Sequence, residues 1–211
     1  MLKIDFVSDI ACPWCAVGLN ALEVALGNLG ADVPYSLHMQ PFELNPDMPI
    51  EGVNASEYLA KKYGMNAAQL QANRANIRDR GAAVGFAFGE RTHIWNTFDA
   101  HRLLHWAGEV GHQRKLKHAL LRAYHGEGRN PGDQMVLLAL VAEVGLDVDA
   151  AREVLVSGKY TDEVREAEAF WQRRGITAVP SVIINDQHLI QGGQPPDVFE
   201  SALREIAATT A

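Results

Sequence analysis

The sequence is poor in cysteine. Only two of its 211 residues are cysteine, and its hydrophobic content of 47% is enough to bury a core without disulfide crosslinks. Cys12 and Cys15 enclose a very short loop, and a crosslink of that size restrains little of the unfolded chain. A purely structural disulfide is therefore disfavoured, and the use of the two thiols must lie elsewhere.

Long apolar segments and blocks of like charge are also absent. The longest apolar candidate, MVLLALVAEVG from Met135, is interrupted by Glu143 and falls short of the roughly 20 residues that span a bilayer. The formal net charge is −7, and acidic and basic residues are interspersed. We therefore predict neither a membrane partner nor a nucleic-acid partner.

Signatures of secretion and of bound organic cofactors are missing from the sequence. The first residues, MLKIDFVSD, alternate apolar and charged residues, whereas a secretory signal has a longer apolar run and a cleavage site of small residues. We therefore expect a cytoplasmic protein. Since no phosphate loop, nucleotide fingerprint or Ser-His-Asp arrangement is visible, we expect no tightly bound cofactor.

Patterns typical of strands occur at both ends of the chain, and a helical block lies between them. Strands are predicted at 2–8, 33–44, 182–184 and 188–191. Helices are predicted from Pro13 onward and at 56–63, 67–84, 95–110, 114–125, 134–144, 150–156, 162–173 and 196–208. The simplest architecture is one α/β domain formed by 1–52 and 175–211, with an all-helical insertion at 53–174.

Cys12 and Cys15 lie where the first helix is predicted to begin, directly after a predicted strand. A helix N-terminus carries about half a positive charge and free N–H groups, which favour a thiolate over a thiol. Cys12 is placed where this effect is largest, and Cys15, one turn further on, should be more buried and less acidic. Such unequal thiols suit disulfide exchange, with Cys12 as an exposed nucleophile and Cys15 as the resolving thiol.

The residues alone leave two alternatives to a redox pair open. A zinc site needs two further ligands, and these would have to be histidines because the chain has no other cysteine. The pair would otherwise be two unrelated buried thiols, which the strand before it and the helix after it make less favourable. We predict no metal site.

Four motifs resemble the DsbA-like branch of the thioredoxin superfamily, most closely its cytoplasmic FrnE-type oxidoreductases. They are DIACPWC, NTFDAHRL from Asn96, GITAVPSVIIN from Gly175 and IQGGQ from Ile190. The resemblance implies a thioredoxin-like fold with a large all-helical insertion and a protein-disulfide oxidoreductase activity of the Cys12 and Cys15 redox pair. It also implies thiol and disulfide partners, either proteins or small molecules, and allows glutathione as a redox partner.

The resemblance further implies which residues surround the redox pair. Val179-Pro180 would be the loop that faces the sulfurs, with a cis proline and a Val179 backbone that pairs with a substrate strand. The remaining substrate-binding residues are expected to be Pro13, Trp14, Asn96, His101, Gly192 and Gly193. Trp14 stands where strongly oxidising periplasmic members have a histidine, so the direction of exchange is not predicted.

Some charged residues near these motifs are interpreted as structural. Asp9, three residues before Cys12, is typical of a turn. Arg74, Arg78 and Arg80 are interpreted as a solvated helix face.

Two alternatives to a disulfide oxidoreductase stay open. A glutathione-dependent isomerase, or a kappa-class-like glutathione transferase of the same architecture, would use the residue at position 12 and would not need Cys15. A non-enzymatic binding or holdase protein would use the groove between insertion and sheet, with the cysteines as a redox or zinc switch. The sequence predicts neither the substrate nor the oligomeric state.

Overall fold

A computed structural model describes residues 1–30 and 33–210 of the chain, so positions 31, 32 and 211 of the predicted α/β domain lie outside the described residues. The strands are β1 (Leu2–Ser8), β2 (Tyr35–Pro41), β3 (Val53–Asn54), β4 (His93–Ile94), β5 (Ser181–Ile184) and β6 (His188–Gln191). The helices are α1 (Pro13–Leu29), α2 (Ala55–Tyr63), α3 (Ala67–Ala82), α4 (Phe98–Glu109), α5 (Gln113–Leu121), α6 (Gln134–Glu143), α7 (Val148–Ser157), α8 (Thr161–Arg173) and α9 (Pro196–Thr210), and a π-helical turn at Arg122–Gly126 continues α5.

The main sheet has the strand order β2-β1-β5-β6. Strand β1 runs parallel to β2 and antiparallel to β5, which in turn pairs antiparallel with β6. The two ends of the chain therefore build one sheet, as predicted. Since β1 is an inner strand, the loop that follows it emerges from the middle of the sheet, and this loop carries the cysteine pair.

Alternating residues of β1 face two different cores. Leu2, Ile4 and Phe6 share a core with residues of α1 and α9, whereas Val7 packs with Trp171 of α8 on the opposite face. This is the two-residue period of a strand that is covered on both sides. The arrangement holds the N-terminus of α1 firmly against the carboxyl end of β1.

The segment between β2 and β5 is helical apart from the short β3–β4 pair. Its own core is built mainly from α4 to α8, and Ile10 and Ala11 of the loop before Cys12 pack into it. Leu121, at the end of α5, instead joins the core of the main sheet. The domain boundaries at 52 and 174 stay a prediction. No helix in the described part of the chain is both long and apolar enough to cross a membrane.

Several predicted boundaries are wrong for reasons visible in the side chains. Helix α4 begins at Phe98 and not at Trp95, because the Asn96 side chain accepts a hydrogen bond from the Phe98 N–H (2.9 Å) and forms a turn there. Helix α7 begins at Val148 because the Asp147 carboxylate caps it. Strand β2 is shorter at both ends than the predicted 33–44.

Candidate active site

The cysteine pair lies at the N-terminus of α1, as predicted. Cys12 is the N-cap residue, with extended backbone (φ −91°, ψ 114°), and Pro13 is the first residue of the helix. Both cysteines are free thiols; Cys15 is 0% exposed and Cys12 4% exposed. The greater burial of Cys15 is confirmed. The expectation of an exposed Cys12 is wrong, because its thiol borders a cavity and does not reach the outer surface.

The two thiols differ in acidity in the predicted direction. A hydrogen bond from the Cys15 thiol lowers the pKa of Cys12 below its ordinary value; burial opposes this effect, while the backbone N–H groups of Cys15 and Trp14 add to it. Burial raises the pKa of Cys15 well above its ordinary value, and the hydrogen bond to Cys12 raises it further. As the pH rises, Cys12 therefore ionises first while Cys15 still holds its proton.

The loop before β5 contacts Cys12 directly. The Val179-Pro180 peptide bond is cis, and the Cys12 thiol donates a hydrogen bond to the Val179 carbonyl oxygen, with 3.5 Å between Sγ and O. Pro180 lies against α1 so closely that a Cβ added at Gly18 would be 3.0 Å from the proline Cγ. The structure therefore brings together this loop and the cysteine pair, which are far apart in the sequence.

The Gly192-Gly193 turn completes this side of the site. The Gly192 N–H donates to the Pro180 carbonyl oxygen (2.8 Å), and a Cβ at Gly193 would be 3.1 Å from the Trp14 carbonyl oxygen. Arg80 of α3 donates to the Gly193 carbonyl oxygen (2.7 Å), and its guanidinium lies 5.8 Å from the centre of the Trp14 ring. The interpretation of Arg80 as a solvated residue is therefore wrong, since it joins α3 to the turn beside the cysteine pair.

A cavity of about 1120 Å³ opens beside Cys12. Cys12, Pro13 and Trp14 line one side of it together with Val179, and residues of α2 and α3 line the other. Its volume is that of a site for a small molecule or a short peptide segment. The Cys12 sulfur thus borders a partly open cleft between the sheet and the helical segment.

Asn96 and His101 are not among the residues that line this cavity, and their predicted place in the wall of the site stays a prediction. The Asn96 side-chain amide donates to the Met48 carbonyl oxygen (3.0 Å) and accepts a hydrogen bond from the Phe98 N–H. Both groups of the amide are therefore engaged in the turn before α4. His101 is buried behind the cysteine loop, where its Nε2 lies 3.4 Å from Asp9 Oδ1. Both residues hold the backbone around the site and do not face the cavity.

Asp9 is more than a turn residue. Its carboxylate accepts the Ala11 N–H (3.1 Å), as a turn requires, and also the Leu44 N–H (2.8 Å) and the Thr97 hydroxyl (2.8 Å). Burial acts to raise the pKa of Asp9, but the hydrogen bond and charge of His101, with the two backbone N–H groups, hold that pKa below its ordinary value. Asp9 therefore stays ionised and ties three separate segments together beneath Cys12.

Two residues of the helical segment fix the loop carbonyl groups just before Cys12. His125 Nε2 lies 2.8 Å from the Ile10 carbonyl oxygen, so the ring N–H donates a hydrogen bond there, and Arg91 donates to the Ala11 carbonyl oxygen (2.9 Å). Burial, together with the Arg91 charge, lowers the pKa of His125 to about 3, so this ring is neutral. No spacing in the sequence distinguishes either residue from an ordinary helix or loop residue.

Lys117 of α5 lies behind the pair with its side chain fully buried. Burial lowers the pKa of its ammonium group to about 8, and the charges of Cys15, Asp9 and Cys12 act in the opposite direction. The positive charge in turn acts to lower the pKa of Cys15. Periodicity alone predicts an apolar residue at this inward position, so sequence reasoning missed it.

Glu43 and Glu168 form a second buried charged cluster at the edge of the cavity. Arg165 donates to both carboxylates, with 2.9 Å to Glu168, yet one oxygen of each acid is buried without a hydrogen-bond partner. Burial and the charge of Glu168 raise the pKa of Glu43 to about 7.

Among residues 1–30 and 33–210, no group of three or more His, Cys, Asp or Glu side chains is placed to hold a metal ion.

Two comparisons cover nearly the whole chain. A solved structure of a probable DsbA oxidoreductase from Streptomyces coelicolor superimposes with a TM-score of 0.93 and 34% identity, over 100% of this chain and 92% of that chain. The protein YwbO of Bacillus subtilis is 30% identical over 205 residues, which are 97% of this chain and 96% of YwbO.

More distant similarities include enzymes that differ in activity. A 2-hydroxychromene-2-carboxylate isomerase of Sphingobium xenophagum is 36% identical over 84 residues, or 38% of this chain and 43% of that protein. The cytosolic disulfide reductase DsbM of Pseudomonas aeruginosa, solved with GSH, shares the fold with a TM-score of 0.68 and 18% identity over 98% of this chain and 99% of that chain.

The family model of the DSBA-like thioredoxin domain matches residues 3–204. The thioredoxin-like fold predicted from the motifs is thereby confirmed, and the chain belongs to the DSBA-like thioredoxin domain family.

Proposed function

We propose that the protein is a thiol-disulfide oxidoreductase whose redox pair is Cys12 and Cys15. One observation carries the proposal: two thiols within one helical turn are shifted in opposite directions in acidity, and the more acidic one borders a cavity. Membership of the DSBA-like family supports it. A thiolate that faces a cavity and a protonated thiol behind it are the two participants that disulfide exchange requires.

The chemistry proceeds in two exchange steps. The Cys12 thiolate attacks one sulfur of a substrate disulfide, so that a Cys12–substrate disulfide forms while the substrate S–S bond breaks and releases a thiolate that takes up a proton. Cys15 then loses its proton and attacks the Cys12 sulfur, which forms the Cys12–Cys15 disulfide and releases the second substrate thiol. The protein loses two electrons and the substrate gains two; the reverse sequence oxidises a dithiol.

The cis-proline loop and the glycine turn are proposed to hold the substrate. The Val179 backbone borders both the Cys12 sulfur and the cavity, so an extended substrate segment bound along Val179 and Pro180 would present its disulfide to Cys12. Pro13 and Trp14 would contact the same segment. Gly192 and Gly193 would matter because they have no side chains. A Cβ at Gly193 would press on the Trp14 carbonyl oxygen.

The proposal is tested by the redox equilibrium of the pair. Reduced and oxidised fractions are measured by alkylation and mass spectrometry in glutathione buffers of graded potential, with zinc content determined in the same sample. We expect a reversible two-electron transition, whose midpoint against the cytosolic poise of roughly −220 to −320 mV gives the working direction. Absence of an intramolecular disulfide at every potential refutes the proposal, and stoichiometric zinc points to the zinc-switch alternative.

Single substitutions separate the two cysteine roles. Cys12→Ser should abolish exchange, because no thiol among the described residues then borders the cavity. Cys15→Ser should leave the first attack intact and trap mixed disulfides on Cys12, since nothing resolves them; these adducts are counted by mass spectrometry. Full exchange activity of Cys12→Ser contradicts the assignment.

Sequence similarity supports a second candidate, a glutathione-dependent isomerase or transferase. That chemistry activates glutathione at position 12 and has no use for a resolving thiol. Turnover of an aromatic electrophile with glutathione that survives Cys15→Ser would favour it over the redox pair. The neighbour DsbM, solved with GSH and described as cytosolic, supports glutathione as a redox partner and a cytoplasmic location within the main proposal.

A further inference from the structure

The cavity beside Cys12 has a basic wall, although the chain as a whole carries a net charge of −7. Lys62, Arg74, Arg78 and Arg91 all line it. In the described part of the chain none of the four forms an ion pair with a carboxylate. Their positive charges therefore act on whatever occupies the cavity.

Acidic residues offset only part of this charge. Glu90 is an exposed residue of the cavity wall and opposes one of the four positive charges. Glu43 also lines the cavity, but its side chain is only 2% exposed and Arg165 binds its carboxylate. Because the pKa of Glu43 is raised to about 7, it also carries less than a full negative charge at neutral pH. The wall is thus positive next to the site where Cys12 reacts.

Helix α3 presents two of these cations side by side. Arg74 and Arg78 are one turn apart, and the residues of α3 that line the cavity, namely Leu70, Asn73, Arg74, Ile77 and Arg78, form one face at helical spacing. Arg74 makes one side-chain hydrogen bond, to the Ser56 hydroxyl (2.8 Å). Arg78 has no hydrogen-bond partner among the residues described, so its guanidinium group has its donors free.

We propose that this basic wall selects substrates whose disulfide or thiol arms carry carboxylates, with Arg74 and Arg78 as the carboxylate-binding residues. The inference rests on the proposed exchange function and adds its substrate class. A guanidinium group matches a carboxylate with two parallel hydrogen bonds, and opposite charges raise both the encounter rate and the stability of the complex. Lys62 and Arg91 add charge, although they also hold the Leu44 and Ala11 carbonyl oxygens.

The test uses three small disulfides that differ chiefly in the charge of their ends: dithiodipropionate (two carboxylates), hydroxyethyl disulfide (neutral) and cystamine (two ammonium groups). Each is mixed with reduced protein, and formation of the Cys12–Cys15 disulfide is followed by quenched alkylation. The double variant Arg74→Gln/Arg78→Gln is compared with Arg152→Gln/Arg173→Gln. The control pair removes two exposed arginines that do not line the cavity.

We expect the Arg74→Gln/Arg78→Gln variant to lose roughly 2- to 30-fold in rate with dithiodipropionate at low salt, the worth of two exposed ion pairs. The rate with hydroxyethyl disulfide should change less than about 2-fold, and the rate with cystamine should rise, because a repulsive charge is removed. High ionic strength should shrink the effect. The control variant should follow the wild-type protein with all three disulfides.

The remaining outcomes separate the two proposals. An equal loss of rate with all three disulfides, or no loss with dithiodipropionate, overturns the carboxylate selection and leaves the exchange function in place. If the wild-type protein reacts with none of the three and forms no Cys12–Cys15 disulfide in glutathione buffers, the proposed function itself fails, and the substrate class fails with it.

Discussion

Replacement of Glu43 by glutamine should make the protein more stable at neutral and alkaline pH but not at acid pH. Glu43 and Glu168 are both buried, and Arg165 donates to both carboxylates, so two carboxylates share one guanidinium group. Burial and the charge of Glu168 raise the pKa of Glu43 from 4.5 to about 7. The amide of the variant keeps the shape of the side chain without the second negative charge.

The sign and size of the effect follow from proton linkage. Between pH 4.5 and about 7 the folded protein holds a proton on Glu43 that the unfolded chain has already released, so the free energy of unfolding falls as the pH rises through this window. A pKa difference of about 2.5 corresponds to about 3 kcal/mol, lost in full above the folded-state pKa. We expect Glu43→Gln to match the wild-type protein within about 1 kcal/mol at pH 5 and to exceed it by about 2–3 kcal/mol at pH 8.

Urea unfolding of both proteins at several pH values between 5 and 8 measures this difference. Glu166→Gln is the matched control, because Glu166 is an exposed residue of the same helix α8 that carries Arg165 and Glu168. The control should parallel the wild-type protein at every pH. A stability difference for Glu43→Gln that does not change between pH 5 and pH 8, or a loss of stability at pH 8, would refute the reasoning.

Two further predictions concern the packing of α1 and the buried charge of Lys117 behind the cysteine pair. Gly27→Ala should stabilise the protein by about 0.5–1 kcal/mol, because nothing lies within 4 Å of the added Cβ. Gly18→Ala in the same helix should bring no such gain and should slow Cys12 exchange, because its Cβ would lie 3.0 Å from Pro180 Cγ. Equal stabilisation by the two variants in urea unfolding would contradict this prediction. Lys117→Met should raise the unfolding free energy at pH 7 by about 2–3 kcal/mol, because burial lowers the pKa of the ammonium group from 10.5 to about 8. This gain should shrink as the pH rises from 8 to 10.5. The mixed disulfide on Cys12 should also persist longer, because the charge that lowers the pKa of Cys15 is lost. A gain in stability that is constant with pH would argue against a charged Lys117.

Local patterns in the sequence were sufficient to place the cysteine pair at the start of the first helix and to predict the elements on either side of it. A strand, two cysteines three positions apart and a proline at the start of a helix are all neighbours along the chain, so helix-dipole and capping arguments apply to them without knowledge of the fold. The asymmetry between Cys12 and Cys15 follows from their places in the first turn. The strands at both chain ends were predicted for the same reason, since β-branched runs and alternation are local signals.

The resemblance to a known family supplied what local patterns lack, namely the Val179-Pro180 loop opposite the sulfurs and the Gly192-Gly193 turn beside them. The same resemblance placed Asn96 and His101 in the wall of the site, and these two residues do not line the cavity beside Cys12. Asn96 precedes α4 and His101 lies within it, and the orientation of that helix turns one side chain into a turn and the other toward Asp9.

The sequence by itself determined that the two cysteines lie at the start of the first helix and that the two chain ends form one sheet. The tertiary structure alone decided what surrounds the sulfurs: Lys117 and Asp9 behind them, Arg80 on the glycine turn, and the basic face of α3 across the cavity. These contacts join residues that are often more than 100 positions apart, as Arg80 and Gly193 are. Periodicity predicts which side of a helix faces inward. It does not predict which element that side packs against, because the residues of that element come from a distant part of the chain.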